Sequence, residues 1–213
     1  MNISYKGKIV YRNKEVVQQY DKLRFSTLLG RLVDKLEKTV VLELLQIKVR
    51  TKVVIDVPCG TGRITEALTN DNRYIVGADI SKNMVLFAHG RLRRYKNVDF
   101  VLCDAERMPF KSDVSDSTVS VRLMGHVPSN TRIRILSELK RVTKRHVIIS
   151  YYHPLSILGI VRRIKTGIKR TRESWFPITP RKLKTEMKKS GLNIRKTKSI
   201  LALVAETYFV LAE

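Results

Sequence analysis

Two glycines after a β-branched run are the clearest sign of chemistry in this sequence. The segment Val53-Val-Ile-Asp-Val-Pro-Cys-Gly-Thr-Gly62 is typical of a buried strand that enters a tight turn, and a helical pattern follows it directly. Because glycine carries no side chain, a ligand can lie against the bare backbone of Gly60 and Gly62 and against the N-terminus of the next helix. Open α/β sheets bind ligands at this carboxyl end of their strands. The turn is therefore a candidate nucleotide site, although a Gly-x-Gly pair also occurs in ordinary turns.

Two acidic residues follow the next two predicted strands at the same edge of the sheet. Asp79 ends the run 74–78, where a carboxylate can accept hydrogen bonds from both hydroxyls of a ribose. Asp104 follows the run 98–103 and can bind an exocyclic amine, while the small Ala105 leaves space for a flat ring. Each acid alone also suits a turn or a helix N-terminus. Together with the glycine turn, they predict one pocket for an adenosine-like ligand.

Alternating strand and helix patterns between residues 51 and 151 predict the elements that position this pocket. The predicted strands are 52–57, 74–78, 98–103, 117–121 and 146–151, and the predicted helices are 63–68, one capped by Ser81 and one capped by Asn130. This alternation indicates a parallel sheet that is covered on both faces. Two amphipathic helices are predicted within 14–46. At the other end, we expect a helix over 181–190 with Gly191 at its C-cap, and then a hairpin of 192–200 and 207–212.

These motifs together resemble the class I S-adenosylmethionine-dependent methyltransferases, particularly the broad group that includes the quinone-biosynthesis enzymes. The resemblance covers about residues 50–151, with weaker agreement around Tyr20-Asp21. Four segments carry it: Ile55-Asp-Val-Pro-Cys-Gly-Thr-Gly-Arg63 as the glycine-rich motif, Val76-Gly-Ala-Asp-Ile-Ser81 as the ribose motif, Asp104-Ala-Glu-Arg-Met-Pro-Phe110 as the adenine motif, and Val121-Arg-Leu-Met-Gly-His-Val127 as the loop under the methionine part.

The resemblance implies a Rossmann-like α/β fold and S-adenosylmethionine as the cofactor, with no metal. The expected sheet has seven mostly parallel strands with an antiparallel last strand, helices on both faces, N-terminal helices and a lid insertion after the fifth strand. Carried onto this sequence, the cofactor-binding residues are Asp56, Pro58, Gly60, Gly62, Asp79, Ile80, Met84, Asp104, Ala105 and Arg122. We expect a single methyltransferase domain with an N-terminal helical cap (1–50), a cofactor-binding core (51–151), a basic amphipathic lid (152–180) and a C-terminal helix and hairpin (181–213).

Several other enzyme classes fit the sequence less well. Thr65 stands where the dinucleotide fingerprint has its third glycine, which together with the Asp104-Ala105 element disfavours a dehydrogenase that uses NAD. No Asn/Asp-Pro-Pro-Tyr/Phe segment follows the fourth strand, as an adenine-N6 or glutamine methyltransferase would have. Cys59 lies within the cofactor turn, so it is a poor nucleophile for a cytosine-C5 enzyme. The two cysteines of the chain exclude a disulfide framework or a zinc ribbon.

Methyl transfer from a sulfonium is an in-line displacement, so the protein mainly supplies alignment and a dry pocket. A base is needed when the acceptor must lose a proton. His126, after the fourth strand, is the first candidate base, and Tyr151 is the next, together with its neighbours Tyr152 and His153. The alternatives are a hydrogen-bonded loop histidine and a packed tyrosine. Tyr20 either closes over the pocket or packs in the cap.

The charge of the chain is strongly positive and uneven. Lys and Arg number 42 against 19 Asp and Glu, and residues 126–213 carry +15 of the net +23. Isoleucines and basic residues recur at helical spacing over 154–170, followed by Trp175 and Phe176. Such a pattern predicts either an interfacial membrane helix or a lid that folds its isoleucines onto the core. The excess charge points to an anionic partner, with a lysine-rich solvated surface as the alternative.

Three functions remain open at this stage. The leading hypothesis is methylation of a small-molecule or lipid-like acceptor, reached at an anionic membrane surface. The second is methylation of tRNA or rRNA on the basic C-terminal face. The third is a non-catalytic, cofactor-binding interaction protein, which the intact Asp79 and turn glycines disfavour. Because no signal peptide or membrane span is apparent, we expect a cytoplasmic protein that is peripheral to the inner face of the membrane.

Overall fold

The protein forms one seven-stranded sheet with helices packed against it. The structure is a computed structural model and describes residues 13–46, 51–69, 72–153, 156, 176–200 and 207–213. The strands are β1 (Val53–Asp56), β2 (Tyr74–Asp79), β3 (Val98–Leu102), β4 (Ser115–Ser120), β5 (Thr143–Tyr152), β6 (Ile194–Ser199) and β7 (Thr207–Ala212). The helices are α1 (Lys14–Phe25), α2 (Leu28–Leu45), α3 (Arg63–Leu68), α4 (Lys82–Leu92), α5 (Ser129–Val142) and α6 (Pro180–Lys189), with a 3₁₀ turn at Met124–His126.

The strand order is β3-β2-β1-β4-β5-β7-β6, and β7 runs antiparallel to both of its neighbours. The predicted seven-stranded, mostly parallel sheet with an antiparallel last strand is therefore confirmed. Strand β1 lies between β2 and β4, and connections leave it in opposite directions along the sheet. This is a topological switch point, where the loops after neighbouring strands diverge and leave a crevice at the carboxyl edge.

Apolar residues cover the two faces of the sheet with separate cores. Val54 of β1 packs with α2 and α3, whereas the next residue, Ile55, packs with α5 and α6. This alternation follows from the pleat, which points successive side chains to opposite faces. The helices therefore lie on both faces, as the sequence predicts. Among the described residues, no helix is long and apolar enough to cross a bilayer.

One of the two predicted helix N-caps is confirmed. Ser81 caps α4, and its Oγ accepts a hydrogen bond from the Met84 N–H at 3.3 Å. The prediction that Asn130 caps the next helix is wrong. Helix α5 begins at Ser129, and the carbonyl of Pro128 already accepts the Arg132 N–H at 2.9 Å. Pro128 has no N–H that needs a partner, so it suits the residue before the first turn.

The lid predicted over 152–180 lies mostly outside the described residues, including the isoleucines, the basic residues of 157–170 and Trp175. The chain can be followed again from Phe176, whose N–H donates to the Gly125 carbonyl at 2.7 Å. Two residues later, the Ile178 N–H donates to the Tyr152 carbonyl at 3.0 Å. The segment before α6 therefore returns against the turn that carries His126.

A buried carboxylate holds the helical cap against the sheet. Glu37 of α2 is fully buried and pairs with two guanidinium groups, those of Arg63 (2.7 Å) and Arg122 (2.9 Å). Both guanidinium groups also lie over the ring of Phe25, at 4.7 and 5.2 Å from its centroid. Arg63 pairs further with Asp34 at 2.6 Å. The cap is thus joined to α3 and to the loop after β4 by largely buried charges, with the fully buried Glu37 at their centre.

A second contact joins the cap to the glycine turn. The Thr61 hydroxyl, between the two glycines, donates to Asp21 Oδ1 of α1 at 2.8 Å. The other oxygen of Asp21 accepts from Arg91 of α4 at 2.8 Å. Helix α1 therefore lies beside the turn that the sequence marks as the ligand site.

We expect Glu37→Gln to destabilise the fold far more than Glu43→Gln, although both changes lie on α2. Removing the Glu37 charge leaves two buried guanidinium groups without their shared counter-ion, at a cost of about 3 kcal/mol. Glu43 pairs with Lys198 in an exposed position, and such pairs contribute roughly 0–1 kcal/mol. Urea denaturation of both variants measures the difference, and equal losses would show that the buried cluster does not hold the cap.

Candidate active site

The two turn glycines have different structural roles. Both have positive φ angles, 54° at Gly60 and 80° at Gly62, which glycine adopts without strain. A Cβ on Gly62 would lie 3.2 Å from carbon atoms of Ala88 and Leu92, so the missing side chain lets α3 approach α4. A Cβ on Gly60 would meet no atom within 4 Å. Open space for a ligand therefore lies beside Gly60, whereas Gly62 serves helix packing.

Asp79 joins the glycine turn to the end of β2. Its Oδ2 accepts the Gly60 N–H at 3.0 Å and its Oδ1 accepts the Ser81 N–H at 2.9 Å. Burial raises the pKa of Asp79, and these backbone donors partly oppose the shift. A third backbone N–H, that of Ile80, also binds this carboxylate. A carboxylate offers about four lone-pair positions, so at least one remains for a hydroxyl group of a ligand.

Asp56, at the end of β1, lies beneath the turn and is fully buried. Its Oδ2 accepts a hydrogen bond from the Thr65 hydroxyl at 2.7 Å. Among the described residues, its Oδ1 has no hydrogen-bond partner. Burial raises the pKa of Asp56 to about 7. Thr65, at the position of the missing third glycine, thus connects α3 to β1, and the predicted contact of the Asp56 side chain with a cofactor is replaced by this internal bond.

The remaining predicted cofactor residues lie along the same edge. Asp104 closes a turn in which its Oδ1 accepts the Glu106 N–H at 3.0 Å, and Ala105 beside it is buried. The Cys103 N–H donates to the Asp79 carbonyl at 2.9 Å, which joins this turn to the end of β2. The other members are Pro58, half-buried in the glycine turn, and Ile80 and Met84, which lie at the start of α4.

Arg122 does not extend into the crevice as the sequence predicts. Its backbone has a φ of 61°, its N–H donates to Ser150 Oγ at 2.7 Å, and its guanidinium pairs with the buried Glu37. Burial disfavours the charged form, yet the neighbouring Glu37 and Tyr152 hold the pKa of Arg122 above its usual value. Arg122 therefore anchors the cap. The sequence gives no local signal for this role because Glu37 is 85 residues away.

His126 and Tyr152 form a pair on the other side of the crevice. The Tyr152 hydroxyl lies 3.3 Å from His126 Nε2, and the two rings meet edge to face with centroids 5.5 Å apart. The Tyr152 ring packs on the backbone of Gly125, where a Cβ would be 2.0 Å from a ring carbon. Any side chain at Gly125 would displace this ring. The geometry thus pairs His126 with Tyr152, one of the three residues after it that the sequence offers as further candidate bases.

Tyr151, the second predicted base, points to the opposite face of the sheet. Its ring stacks on Tyr208 with centroids 5.9 Å apart, and its hydroxyl has no partner among the described residues. Burial raises the pKa of Tyr151 well above its usual value, so the group stays protonated. Strand β5 continues through Tyr152, and its alternation separates the two tyrosines. Tyr152 thus takes the position that we predict for Tyr151.

A buried ion pair fixes the turn that carries His126. Arg132 of α5 is 1% exposed and donates to both carboxylate oxygens of Glu186 at 2.8 Å. Its remaining terminal nitrogen donates to the carbonyls of Met124 (3.3 Å) and Val127 (2.8 Å), on either side of His126. Helices α5 and α6 therefore hold this turn in place. Neither residue stands out in the sequence.

The crevice contains no activated thiol among the described residues. Burial, with the charges of Asp79 and Asp56, raises the pKa of Cys59 well above its usual value. Burial likewise raises the pKa of Cys103 to about 12. Both thiols are therefore protonated near neutral pH and are poor nucleophiles.

The acids at this edge favour a ligand that carries positive charge.

Comparison with known proteins agrees with this geometry. Residues 54–146 match the family model of a methyltransferase domain. Demethylmenaquinone methyltransferase from Paenarthrobacter aurescens is 32% identical over 55% of this chain and 46% of its own length. A tRNA (carboxymethyluridine(34)-5-O)-methyltransferase from Arabidopsis thaliana is 26% identical over 43% of this chain and 21% of its own length. The chain spans less than half the length of these curated relatives.

A solved structure matches the fold over almost the whole chain. Magnesium protoporphyrin IX methyltransferase from Synechocystis PCC 6803, crystallised with bound SAH, has a TM-score of 0.73 and is 17% identical. The match covers 96% of this chain and 98% of that one. At this identity the likeness shows the fold alone.

We expect Asp56→Asn to remove a pH-dependent loss of stability. Folding raises the pKa of Asp56 to about 7, so its contribution is fully present below about pH 4 and is lost as the pH rises through 7. The variant cannot ionise and keeps an acceptor for Thr65. Thermal unfolding between pH 5 and 8 should show the stability of the wild type falling relative to that of the variant, by as much as about 3 kcal/mol. Parallel curves would contradict a buried, ionising Asp56.

Proposed function

We propose that this chain, whose residues 54–146 match the family model of a methyltransferase domain, is a class I S-adenosylmethionine-dependent methyltransferase that transfers a methyl group to a small-molecule or lipid-like acceptor. The observation that carries the proposal is the convergence of three sheet-edge features on one crevice. These are the open space beside Gly60, the Asp79 carboxylate and the Asp104-Ala105 turn. Each suits a different part of an adenosyl ligand.

In this proposal, the residues present fit S-adenosylmethionine. The remaining acceptor capacity of Asp79 binds a ribose hydroxyl, and Asp104 accepts a hydrogen bond from the exocyclic amine of the adenine beside Ala105. Gly60 lets the rest of the ligand approach the backbone, because a Cβ there would fill the space. The negative charge of this edge complements the cationic sulfonium and ammonium groups. These proposed contacts account for the ribose, the adenine and the two cationic groups of the ligand.

When bound, S-adenosylmethionine supplies a methyl group on a sulfonium, whose positive charge already activates the leaving group. The chain needs to align the acceptor with that methyl group and to exclude water. In our proposal, the cap excludes water, since Asp21 holds α1 beside the glycine turn. The buried Glu37 cluster keeps α2 in place during the reaction.

We further propose that His126 takes the proton when the acceptor is a phenol or an acidic carbon. An imidazole titrates near neutral pH and is suited to this task. The Tyr152 hydroxyl at 3.3 Å orients the ring, and the Arg132–Glu186 pair fixes the backbone on both sides of it. Tyr151 has no part in this step because it lies in the opposite core.

The comparisons support a small-molecule acceptor. The relative with 32% identity is named for demethylmenaquinone, and the structural neighbour is named for magnesium protoporphyrin IX. We propose accordingly that the protein is cytoplasmic and meets a membrane peripherally, where lipid-like acceptors are found.

RNA is the second candidate acceptor, and two observations favour it. One relative is named as a tRNA methyltransferase, and it matches over 43% of this chain. In addition, the edge strand β6 exposes Arg195 and Lys196, and α6 exposes further basic residues. Basic side chains of this kind bind phosphates. Against this candidate, an exposed edge strand also carries lysines simply to prevent aggregation.

We expect Asp79→Ala to weaken binding of S-adenosylmethionine by at least tenfold, because the ribose hydroxyls lose their acceptor. Isothermal titration calorimetry measures the change. Asp99→Ala, which removes an exposed acid from the neighbouring strand β3, is the matched control and should leave the affinity unaltered. An unchanged affinity in Asp79→Ala, with the variant folded by circular dichroism, would refute the ribose role.

The activity itself is tested with S-adenosylmethionine labelled in its methyl group. We incubate the protein with separate extracts of lipids, small molecules and RNA, and we expect label in the lipid or small-molecule fraction. His126→Gln should reduce this transfer at least tenfold without changing cofactor affinity. Label in RNA alone would favour the second candidate, and cofactor binding without any transfer would favour a non-catalytic, cofactor-binding interaction protein.

A further inference from the structure

Four leucines are exposed where the two cap helices meet. The exposed fractions are 74% for Leu23, 80% for Leu28 and 46% for both Leu29 and Leu32. Single exposed leucines are ordinary on a protein surface, but a contiguous group indicates an interaction site. The cap buries its other apolar side chains, such as Val40 and Leu44, against the sheet. None of the described residues covers the leucines at the corner in this way.

Basic residues alternate with these leucines on the outer sides of both helices. On α2, Leu28, Arg31, Leu32 and Lys35 follow the spacing i, i+3, i+4, i+7, which places them on one helix face. On α1, Lys22 and Leu23 line a shallow open groove together with Gln19 and Ser26. The basic residues Lys22, Arg31 and Lys35 are exposed. Their long stems can lie along apolar surface while the charges stay in water.

The three acids that are closest to these leucines along the chain face the opposite way, whereas the exposed Glu15 and Glu43 lie towards the far ends of the two helices. Asp21 binds Thr61 and Arg91, and Asp34 binds Arg63 and Lys38, so both point towards the body of the protein. Glu37 is fully buried in its cluster. The outward charge at this corner is therefore positive. We call the exposed set the leucine face, and its members are Lys22, Leu23, Leu28, Leu29, Arg31, Leu32 and Lys35.

We propose that the leucine face docks on the surface of a bilayer that contains anionic phospholipid. The leucines enter the boundary between headgroups and acyl chains, and Lys22, Arg31 and Lys35 bind the phosphates around them. An interfacial helix combines apolar and basic residues in this way. The inference is independent of methyl transfer, since docking requires neither cofactor nor acceptor. It adds a membrane partner for the cap, which is the same element that Asp21 joins to the glycine turn.

Two other occupants fit this surface less well. In a symmetric dimer, the leucine face would meet its own copy, and the three basic residues would oppose one another without acids nearby. RNA would find the positive charges but no aromatic side chain among the seven members for base stacking. An anionic bilayer offers an apolar environment to the leucines and phosphates to the basic residues.

The test compares binding of the full chain to phosphatidylcholine vesicles with and without phosphatidylglycerol, measured by co-sedimentation. We expect the wild type to bind the anionic vesicles at least tenfold more tightly. The double variant Leu28→Gln/Leu32→Gln should lose at least tenfold of this affinity. The pair Arg31→Gln/Lys35→Gln should lose the preference for anionic lipid.

The matched control is Leu86→Gln/Leu102→Gln, which removes two leucines that are 57% and 55% exposed on α4 and β3. This control should bind vesicles like the wild type, and circular dichroism should show all variants folded. Calorimetry with S-adenosylmethionine is a separate readout, so loss of docking and failure of the proposed activity can be told apart.

Several outcomes would overturn the proposal. One is an equal loss of vesicle binding in the control. Another is binding that survives in Leu28→Gln/Leu32→Gln but disappears when Arg162, Arg163, Lys169 and Arg170 are changed to glutamine, which would assign docking to the segment after β5. A wild-type dimer that the leucine variant converts to monomer would assign the face to a second copy. If the leucine variant lost RNA binding but kept vesicle binding, the leucine face would be assigned to RNA.

Discussion

The hydrogen bonds of Asp79 are the constraint on which the site depends. One carboxylate holds the Gly60 N–H and the Ser81 N–H, so the end of β2, the glycine turn and the start of α4 share a single fixed point. Burial makes the charge costly, and the backbone donors reduce that cost. The backbone N–H groups of Gly60, Ser81 and Ile80 leave at least one acceptor position on this carboxylate. In our proposal, the structure of the turn and the binding of the ligand therefore depend on the same side chain.

Buried charge also determines how the cap is attached. Glu37 pairs with Arg63 from the helix after β1 and with Arg122 from the loop after β4, so two sides of the crevice are joined through one side chain. Because Asp21, Asp34 and Glu37 form internal pairs, the outer side of the cap around the exposed leucines is basic. The same internal pairing of Asp21 and Asp34 leaves the leucine face without negative charge.

Local signals in the sequence were sufficient for most of the fold. Helix α3 has its predicted bounds, Ser81 caps α4 as predicted, and the last two strands form the expected antiparallel hairpin. These features depend on residues within a few positions of one another. The prediction failed at Asn130 because the neighbouring Pro128 supplies the start of α5 instead.

The sequence by itself determined the order of strands and helices and the group of residues at the sheet edge, since short-range periodicity and turn residues specify them. Only the tertiary structure decided which side chains reach the crevice. Arg122 pairs with Glu37, and Gly62 faces α4. Tyr152, and not Tyr151, contacts His126. The reason is physical: these outcomes depend on partners up to 85 residues away and on the one-residue alternation of a strand, which local patterns do not contain.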